Sequence, residues 1–258
     1  MIVVNFGGGL NSTALIIEAH RRGLKLDHII FADTGSEKPG TYDFLEVFRA
    51  WLAERAMALT VVRWIREKGA NRGRFIPIHE QCLERKEFPS VTYGLKGCTN
   101  KWKQQPIDKF VRALLAEVPD EVQVERWLGY DADEPERWNP GAWKPERWTW
   151  RAPLIEWDMG RTDCRRTILE AGLPLPPRSS CFICRNMRPA EIRELNDQHP
   201  EQMAIALEIE QRALKTLKTP GSLAGLGGTY AWADAVKQRD MFAGCTPDFC
   251  ISCWDGDP

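Results

Sequence analysis

Alternating apolar runs and amphipathic stretches over the first 130 residues predict an α/β fold, a parallel sheet covered on both faces. Three observations carry this expectation. The run Ile2-Val3-Val4-Asn5-Phe6 leads directly into Gly7-Gly8-Gly9-Leu10-Asn11-Ser12-Thr13, a buried strand ending in a glycine loop. A second apolar run, His28 to Ala32, ends at Asp33-Thr34-Gly35. Beyond Leu173-Pro174-Leu175-Pro176-Pro177 the composition changes to a helical, cysteine-bearing portion, which suggests units at 1–172 and 173–258.

The elements follow in order. After the first strand, Asn11, Ser12 or Thr13 can cap a helix running from Ala14 to Arg22, whose N-terminal N–H groups would point at an anion. Phe44, Leu45, Phe48, Trp51 and Leu52 fall on one face of a helix from Thr41 to Arg55. A third strand is expected near Thr60 to Trp64, then a long loop from Glu67 to Tyr93 that could close over a ligand. A helix from Pro106 to Glu117 precedes a strand from Val122 to Leu128. Asp131 to Trp150 has no usable period and reads as an irregular insertion packed by its aromatics. A short extended piece at 152–157 and a helix from Arg161 to Ala171 complete the first portion. The second portion carries helices from Pro189 to Gln198, Pro200 to about Thr216 and Tyr230 to Arg239, with a cysteine tail.

Length and composition narrow the function classes. At 258 residues the chain can bury a full core. No apolar run is long enough to span a bilayer, and Met1 leads into the first strand rather than a cleavable signal, so a soluble cytoplasmic protein without membrane partners is expected. Lys and Arg number 35 against 36 Asp and Glu, so any nucleic-acid contact must be a local patch. Eight cysteines in such a chain argue for metal or redox chemistry rather than a disulfide framework. Six of the eleven tryptophans lie between Trp127 and Trp157. With the basic residues from Arg126 to Arg151 they could form a stacking surface for nucleic acid, though packing of an irregular segment is the simpler account.

The glycine loop lacks the Gly-Lys-Ser/Thr ending of a Walker loop and the spaced glycines of a dinucleotide fingerprint. It resembles the PP-loop, Ser-Gly-Gly-x-Asp-Ser, of the adenine nucleotide α-hydrolase superfamily, with Gly7 where Ser is usual and Asn11 where Asp is usual. Asp33-Thr34-Gly35-Ser36-Glu37-Lys38-Pro39-Gly40-Thr41-Tyr42 resembles the Asp-Thr-Gly-x-Glu-x-Pro-x-Thr-Tyr pattern of the phosphoadenosine phosphosulfate (PAPS) reductase branch. Cys98-Thr99 through Lys103 to Pro106 resembles its Cys-Thr-x-x-x-Lys-x-x-Pro segment. Gly129 to Arg137, with Glu134, resembles its Gly-Ile-x-x-x-Glu-x-x-Arg strand end. Ser180-Cys181-x-x-Cys184 resembles the Ser-Cys-x-x-Cys element of phage and bacterial PAPS-reductase-like proteins.

These motifs occur in family order over roughly residues 1 to 200. The resemblance implies a doubly wound, Rossmann-like parallel sheet with a smaller Cys-bound helical C-terminal portion. It implies an adenine nucleotide, ATP or PAPS-like, on Gly7, Gly8, Gly9, Asn11, Ser12, Asp33, Thr34, Gly35, Gly129 and Glu134, with Mg2+ offsetting the phosphate charge. Cys98 and Lys103 are the candidate catalytic residues. Asp33 could hold a metal or ribose, and Gly35 would let the backbone approach the adenine. Cys181, Cys184, Cys250 and Cys253 have the spacing of a four-thiolate site for zinc or a 4Fe-4S iron–sulfur cluster, and Cys245 or Cys98 could replace one tail thiol. Cys82 and Cys164 read as buried small hydrophobes.

The implied activity is ATP-dependent adenylation coupled to sulfur transfer, on a nucleic-acid or small-molecule acceptor, with a sulfur-donor or reductant protein as partner. A sulfonucleotide reductase is the alternative, weakened because Gly244-Cys245-Thr246-Pro247 does not match that enzyme's Glu-Cys-Gly-x-His element. A nucleotide-binding protein that has lost catalysis is the third reading, supported by Gly7 and Asn11.

Overall fold

The computed structural model describes residues 1–139, 147–219 and 221–241. These form two compact units, residues 1–78 with 96–181 and residues 79–95 with the chain from 182 onward.

The first unit is built on five parallel strands, β1 (Ile2–Phe6), β2 (His28–Asp33), β3 (Leu59–Arg63), β4 (Val124–Leu128) and β5 (Trp148–Arg151), in the order β3-β2-β1-β4-β5. Its helices are α1 (Leu10–Arg21), α2 (Pro39–Ala53), α4 (Gln105–Glu117), α5 (Pro153–Glu156) and α6 (Arg161–Glu170). The side-chain period of two along a strand divides its residues between two cores. Val4, Phe6, Ile29, Phe31 and Trp127 meet Leu15 of α1, Phe44, Phe48 and Leu52 of α2, and Cys164 and Ile168 of α6. Val3, Ile30, Ala32, Val124 and Trp148 meet Ile107, Val111 and Leu115 of α4. Both faces are therefore covered and the sheet is doubly wound, which explains the near-continuous apolar strands. Within the first core the Phe44 and Phe48 rings stack at 5.9 Å, and Phe48 stacks on Trp51 at 5.6 Å.

The helix starts follow local chemistry. Pro39 and Pro153 stand in first turns, where a missing N–H costs nothing. Asp163 reaches back to the Gly160 N–H, 3.1 Å away, at the start of α6.

The second unit carries most of α3 (Ile78–Arg85), then α7 (Pro189–Gln198), α8 (Pro200–Leu214) and α9 (Trp232–Met241). Its buried side chains include Cys82, Phe88, Phe182, Ile183, Ile192, Leu195, Ile209 and Trp232. The buried Glu210 carboxylate accepts N–H groups of Leu226, Trp232 and Ala233 at 2.8, 2.8 and 3.0 Å, which anchors the glycine-rich stretch and the start of α9.

Several segments differ from the sequence-based expectation. The long loop of 67–93 contains α3 and a 3-10 turn at Ser90–Tyr93, because Cys82 and Phe88 are buried there. The extended piece expected at 152–157 is instead one helical turn at Pro153–Glu156, and the end of the stretch read as an irregular insertion forms β5, which pairs in parallel with β4. The helix after the glycine loop begins at Leu10, so Asn11, Ser12 and Thr13 lie in its first turn and its N-cap is Gly9. Arg126, Trp127 and Trp148 are core, with the Arg126 guanidinium 4.9 Å from the Trp148 ring and 4.2 Å from that of Trp150, so these residues pack the segment. Residues 140–146, within the expected insertion, lie outside the described residues. No helix among the described residues is long and apolar enough to cross a membrane.

Candidate functional site

The sheet order reverses direction at the β1/β4 pair, where open α/β sheets receive ligands at the carboxyl ends of the strands. The glycine loop occupies that end of β1 and Gly129 the end of β4. A Cβ on Gly129 would lie 2.7 Å from the Ser12 nitrogen and 2.8 Å from its Cα, so only glycine lets β4 run against the start of α1. Gly8 adopts φ of +71°, which favours glycine, with Thr41 Cγ2 3.2 Å from where its Cβ would stand.

No side chain caps α1, which leaves its first N–H groups to be met from outside the helix. The Ser12 hydroxyl accepts the Gly7 N–H at 3.2 Å and donates to the Gly9 carbonyl at 3.1 Å, so it shapes the loop from within. Asn11 donates through Nδ2 to Asp131 Oδ2 at 2.7 Å. Its Oδ1 is buried and has no hydrogen-bond partner among the described residues, as is true of Thr41 Oγ1 and Ser180 Oγ. Burial pushes the Asp131 carboxyl above its usual range, and the nearby Glu134 and Asp133 charges add to this while the Asn11 bond opposes it.

The end of β2 is organised by Asp33. Its Oδ1 accepts the Gly35 N–H and the Tyr42 hydroxyl, each at 2.8 Å, and its Oδ2 accepts Arg63 Nε at 2.8 Å. Burial, then the Asp33 charge, drives the Tyr42 hydroxyl far above its usual range, so Tyr42 stays a donor. Gly35 has φ of +64°, and a Cβ there would meet Phe75 at 2.7 Å and Pro77 at 2.8 Å. The position a side chain would take at Gly35 is thus filled by the chain's own rings.

Next to it Thr34, Glu37, Lys103 and Cys181 converge. Lys103 Nζ stands 3.0 Å from Glu37 Oε1, whose side chain is fully buried, and Thr34 Oγ1 donates to the same oxygen at 3.1 Å. Cys181 Sγ lies 3.4 Å from Thr34 Oγ1 and 3.9 Å from Glu37 Oε1. The segment 177–181 is held there by backbone contacts. Lys38 N donates to Ser180 O at 3.0 Å, and Cys181 pairs antiparallel with Glu37. Ser179 Oγ would be 2.9 Å from a Cβ on Gly9, so this arch also abuts the glycine loop. Ser179 was not legible as a neighbour of the glycine loop, since it stands just before the Ser180-Cys181 motif and belongs to no motif of its own.

Cys98 is half-buried and precedes a π-helical turn, Thr99–Gln104, that runs into α4. Trp102 is buried in that turn and donates to Ile76 O at 2.9 Å. Lys101 sits over the Trp64 ring at 3.9 Å, leaving Lys103 as the cation turned to Glu37. Glu134 pairs with Arg137 on a partly exposed turn.

Cys181 and Cys184 are half-buried and form no disulfide among the described residues, and Cys245, Cys250 and Cys253 lie outside those residues. Among the described residues no three His, Cys, Asp or Glu side chains gather closely enough to hold a metal ion. Cys82 and Cys164 are buried, and burial pushes the Cys164 thiol up to about 12.

No family model matches the chain. Over 152 residues it is 29% identical to an uncharacterized nin region protein, ORF290, of Escherichia phage lambda, a match covering 54% of this chain. The match spans 50% of that curated relative, half of its length. Among solved structures, a U34-tRNA thiolase, NcsA, from Methanococcus maripaludis with its 4Fe-4S cluster aligns over 92% of this chain and 80% of its own, at 13% identity and a TM-score of 0.42.

Proposed function

We propose that this protein binds an adenine nucleotide with its phosphates over Gly7, Gly8 and Gly9, and uses ATP to adenylate an acceptor for sulfur transfer. The observation that carries the reading is the cradle at the switch point, where Gly129 approaches the Ser12 backbone at a distance no other residue allows beside an uncapped helix start. Buried polar atoms without partners, Asn11 Oδ1 and Thr41 Oγ1, belong to the residues around that cradle, and a polar ligand would satisfy them.

In this reading an acceptor oxygen attacks the α-phosphorus of ATP, the α–β bridging bond breaks, and pyrophosphate leaves with its charge over the helix N-terminus. A sulfur nucleophile then displaces AMP. Asn11 Oδ1, buried without a partner among the described residues, and the carboxylate of Asp131, which Asn11 Nδ2 contacts, are hard oxygen donors of the kind that suit Mg2+, which when bound would neutralise phosphate charge. Cys98 is proposed to carry the sulfur as a persulfide received from a sulfur-donor protein, with a thiol reductant breaking the S–S bond left after transfer, and Lys103 to act as a cation for the phosphates. Lys103 would have to exchange its bond to Glu37 for one to the nucleotide. Cys181 and Cys184 would hold zinc or an iron–sulfur cluster only together with the tail cysteines, so no step runs through such a group.

Calorimetric titration with ATP-Mg2+, joined to an assay for pyrophosphate release, tests the reading. Binding that is lost in Gly129→Ala, with release on adding acceptor, supports it, whereas no ATP binding overturns it. Tight binding without release under any acceptor would favour a nucleotide-binding protein that has lost catalysis, consistent with Gly7 and Asn11.

A further inference from the structure

Beyond β3 the chain forms a basic hairpin. Ile65 and Phe75 pair antiparallel, Arg66 N donates to Arg74 O at 2.9 Å, and Gly73 N donates to Arg66 O at 2.8 Å. From Arg63 to Phe75 there are five basic residues, Arg63, Arg66, Lys68, Arg72 and Arg74, and one acidic residue, Glu67. The chain as a whole has a net charge of −1, so this is a strong local concentration. Residues 67–74 are all exposed.

The tip is a built turn. Gly69, Asn71 and Gly73 take φ of +78°, +63° and +80°, and Arg72 N and Arg74 N close onto Gly69 O and Asn71 O at 3.2 and 3.1 Å. Arg66 Nη1 bonds Ala70 O at 3.2 Å and Arg74 Nη1 bonds Asn71 Oδ1 at 3.1 Å, so two arginines stitch the turn while Lys68 and Arg72 stand exposed on it. A turn fixed in advance loses little conformational entropy when it binds. Concentrating like charge on a short ladder costs stability, and a bound polyanion would remove that cost.

We infer that this hairpin docks the phosphodiester backbone of a nucleic acid. An acidic protein surface would ordinarily be held through buried apolar anchors at the centre of the contact. The tip offers Gly69, Ala70, Asn71 and Gly73 instead. Binding to a phosphate backbone is electrostatic and needs no such anchor, and guanidinium groups match phosphate oxygens in pairs. The base of the hairpin is tied to the ligand end of the sheet. Arg63 joins Asp33 and lies 5.0 Å over the Phe75 ring, and Phe75 abuts Gly35. Lys101 over Trp64 extends the basic surface beside it. The inference names the acceptor class for the proposed adenylation and rests on that reading only for what is done to the strand.

Fluorescence anisotropy with a labelled, mixed-sequence RNA of about twenty nucleotides, longer than common single-strand site sizes, tests it. A DNA of equal length and a polyglutamate of equal charge run alongside. For the double variant Lys68→Glu with Arg72→Glu the expected result is at least about a tenfold loss of affinity, with the log–log salt slope flatter by about 1 to 2. Its ATP affinity should equal that of the parent. Unchanged nucleic-acid affinity and slope in the variant overturns the inference, as does polyglutamate binding as tight as RNA. RNA or DNA binding that the variant loses, in a protein that never binds ATP, supports the hairpin and overturns the nucleotide reading alone.

Discussion

Lys103 and Glu37 meet at 3.0 Å with the Glu37 side chain fully buried, so the lysine proposed to serve the phosphates is paired, in this structure, with a charge inside the protein. Glu37 Oε2 is buried with no hydrogen-bond partner among the described residues, which leaves Lys103, Thr34 and Cys181 around the other oxygen. Removing one partner of such a pair leaves an uncompensated charge, whereas neutralising the buried partner does not. Lys103→Ala is therefore expected to cost about 2 kcal/mol, discounted because solvent reaches the ammonium, and Glu37→Gln distinctly less. Urea unfolding of both single variants and the double variant checks this, and a double variant much more stable than Lys103→Ala is the expected outcome.

Gly129→Ala places a methyl group within 2.7 Å of backbone rather than of a movable side chain. The start of α1 must shift, at a cost of about 1–3 kcal/mol, and ATP affinity should fall at least tenfold, about 1.4 kcal/mol. At Gly7 the nearest atom to a new Cβ is Ser12 Oγ at 3.8 Å, so Gly7→Ser should fold as the parent does. Thermal melts and ATP titrations of the two variants should separate cleanly.

Cys164 gives a pH dependence with a defined sign. Its thiol has an ordinary value of 9.0 and is pushed up to about 12 by burial, with the Asp131 charge adding to this. Below pH 9 it is protonated in both states. Between pH 9 and about 12 only the unfolded chain loses the proton, so stability falls as pH rises, by up to about 1.4 kcal/mol per unit from this group. Comparing urea midpoints at pH 8 and pH 10 should show a smaller decline in Cys164→Ala than in the parent. In the folded parent at pH 8, iodoacetamide should label Cys98 and Cys181 before Cys82 or Cys164, which mass mapping reads directly.

Cys181→Ser and Cys184→Ser should each release metal from anaerobically purified protein if the paired Cys-x-x-Cys motifs act together. Iron, zinc and acid-labile sulfide per chain, with the visible spectrum, are the measurements. Unchanged metal content in both variants would remove these thiols from any metal site. Loss of zinc without sulfide would mark the site as structural.

Much of the first unit was legible because its signals are local. β1 and β2 are short apolar runs ended by glycine motifs, and α2 and α6, like α7 of the second unit, announce themselves by period and by proline or acidic residues in their first turns. α3 was not legible, because an eight-residue helix in a polar stretch is stabilised by burying Cys82 rather than by its own pattern. The start of α1 was placed too late for a related reason. Gly9 ends the extended backbone, and Ser12 and Thr13 bond back to it from inside the helix instead of capping it.

By itself the sequence determined the alternation of strands and helices, the glycine loop and the order of its motifs, since each depends on residues adjacent in the chain. Tertiary structure alone decided that Gly129 touches Ser12, that Asp33 holds Arg63 and Tyr42, and that Glu37 draws Lys103, Thr34 and Cys181 together. Those partners are separated by up to 144 residues, and a charge or a hydroxyl carries no record in the sequence of which distant group will satisfy it once water is excluded.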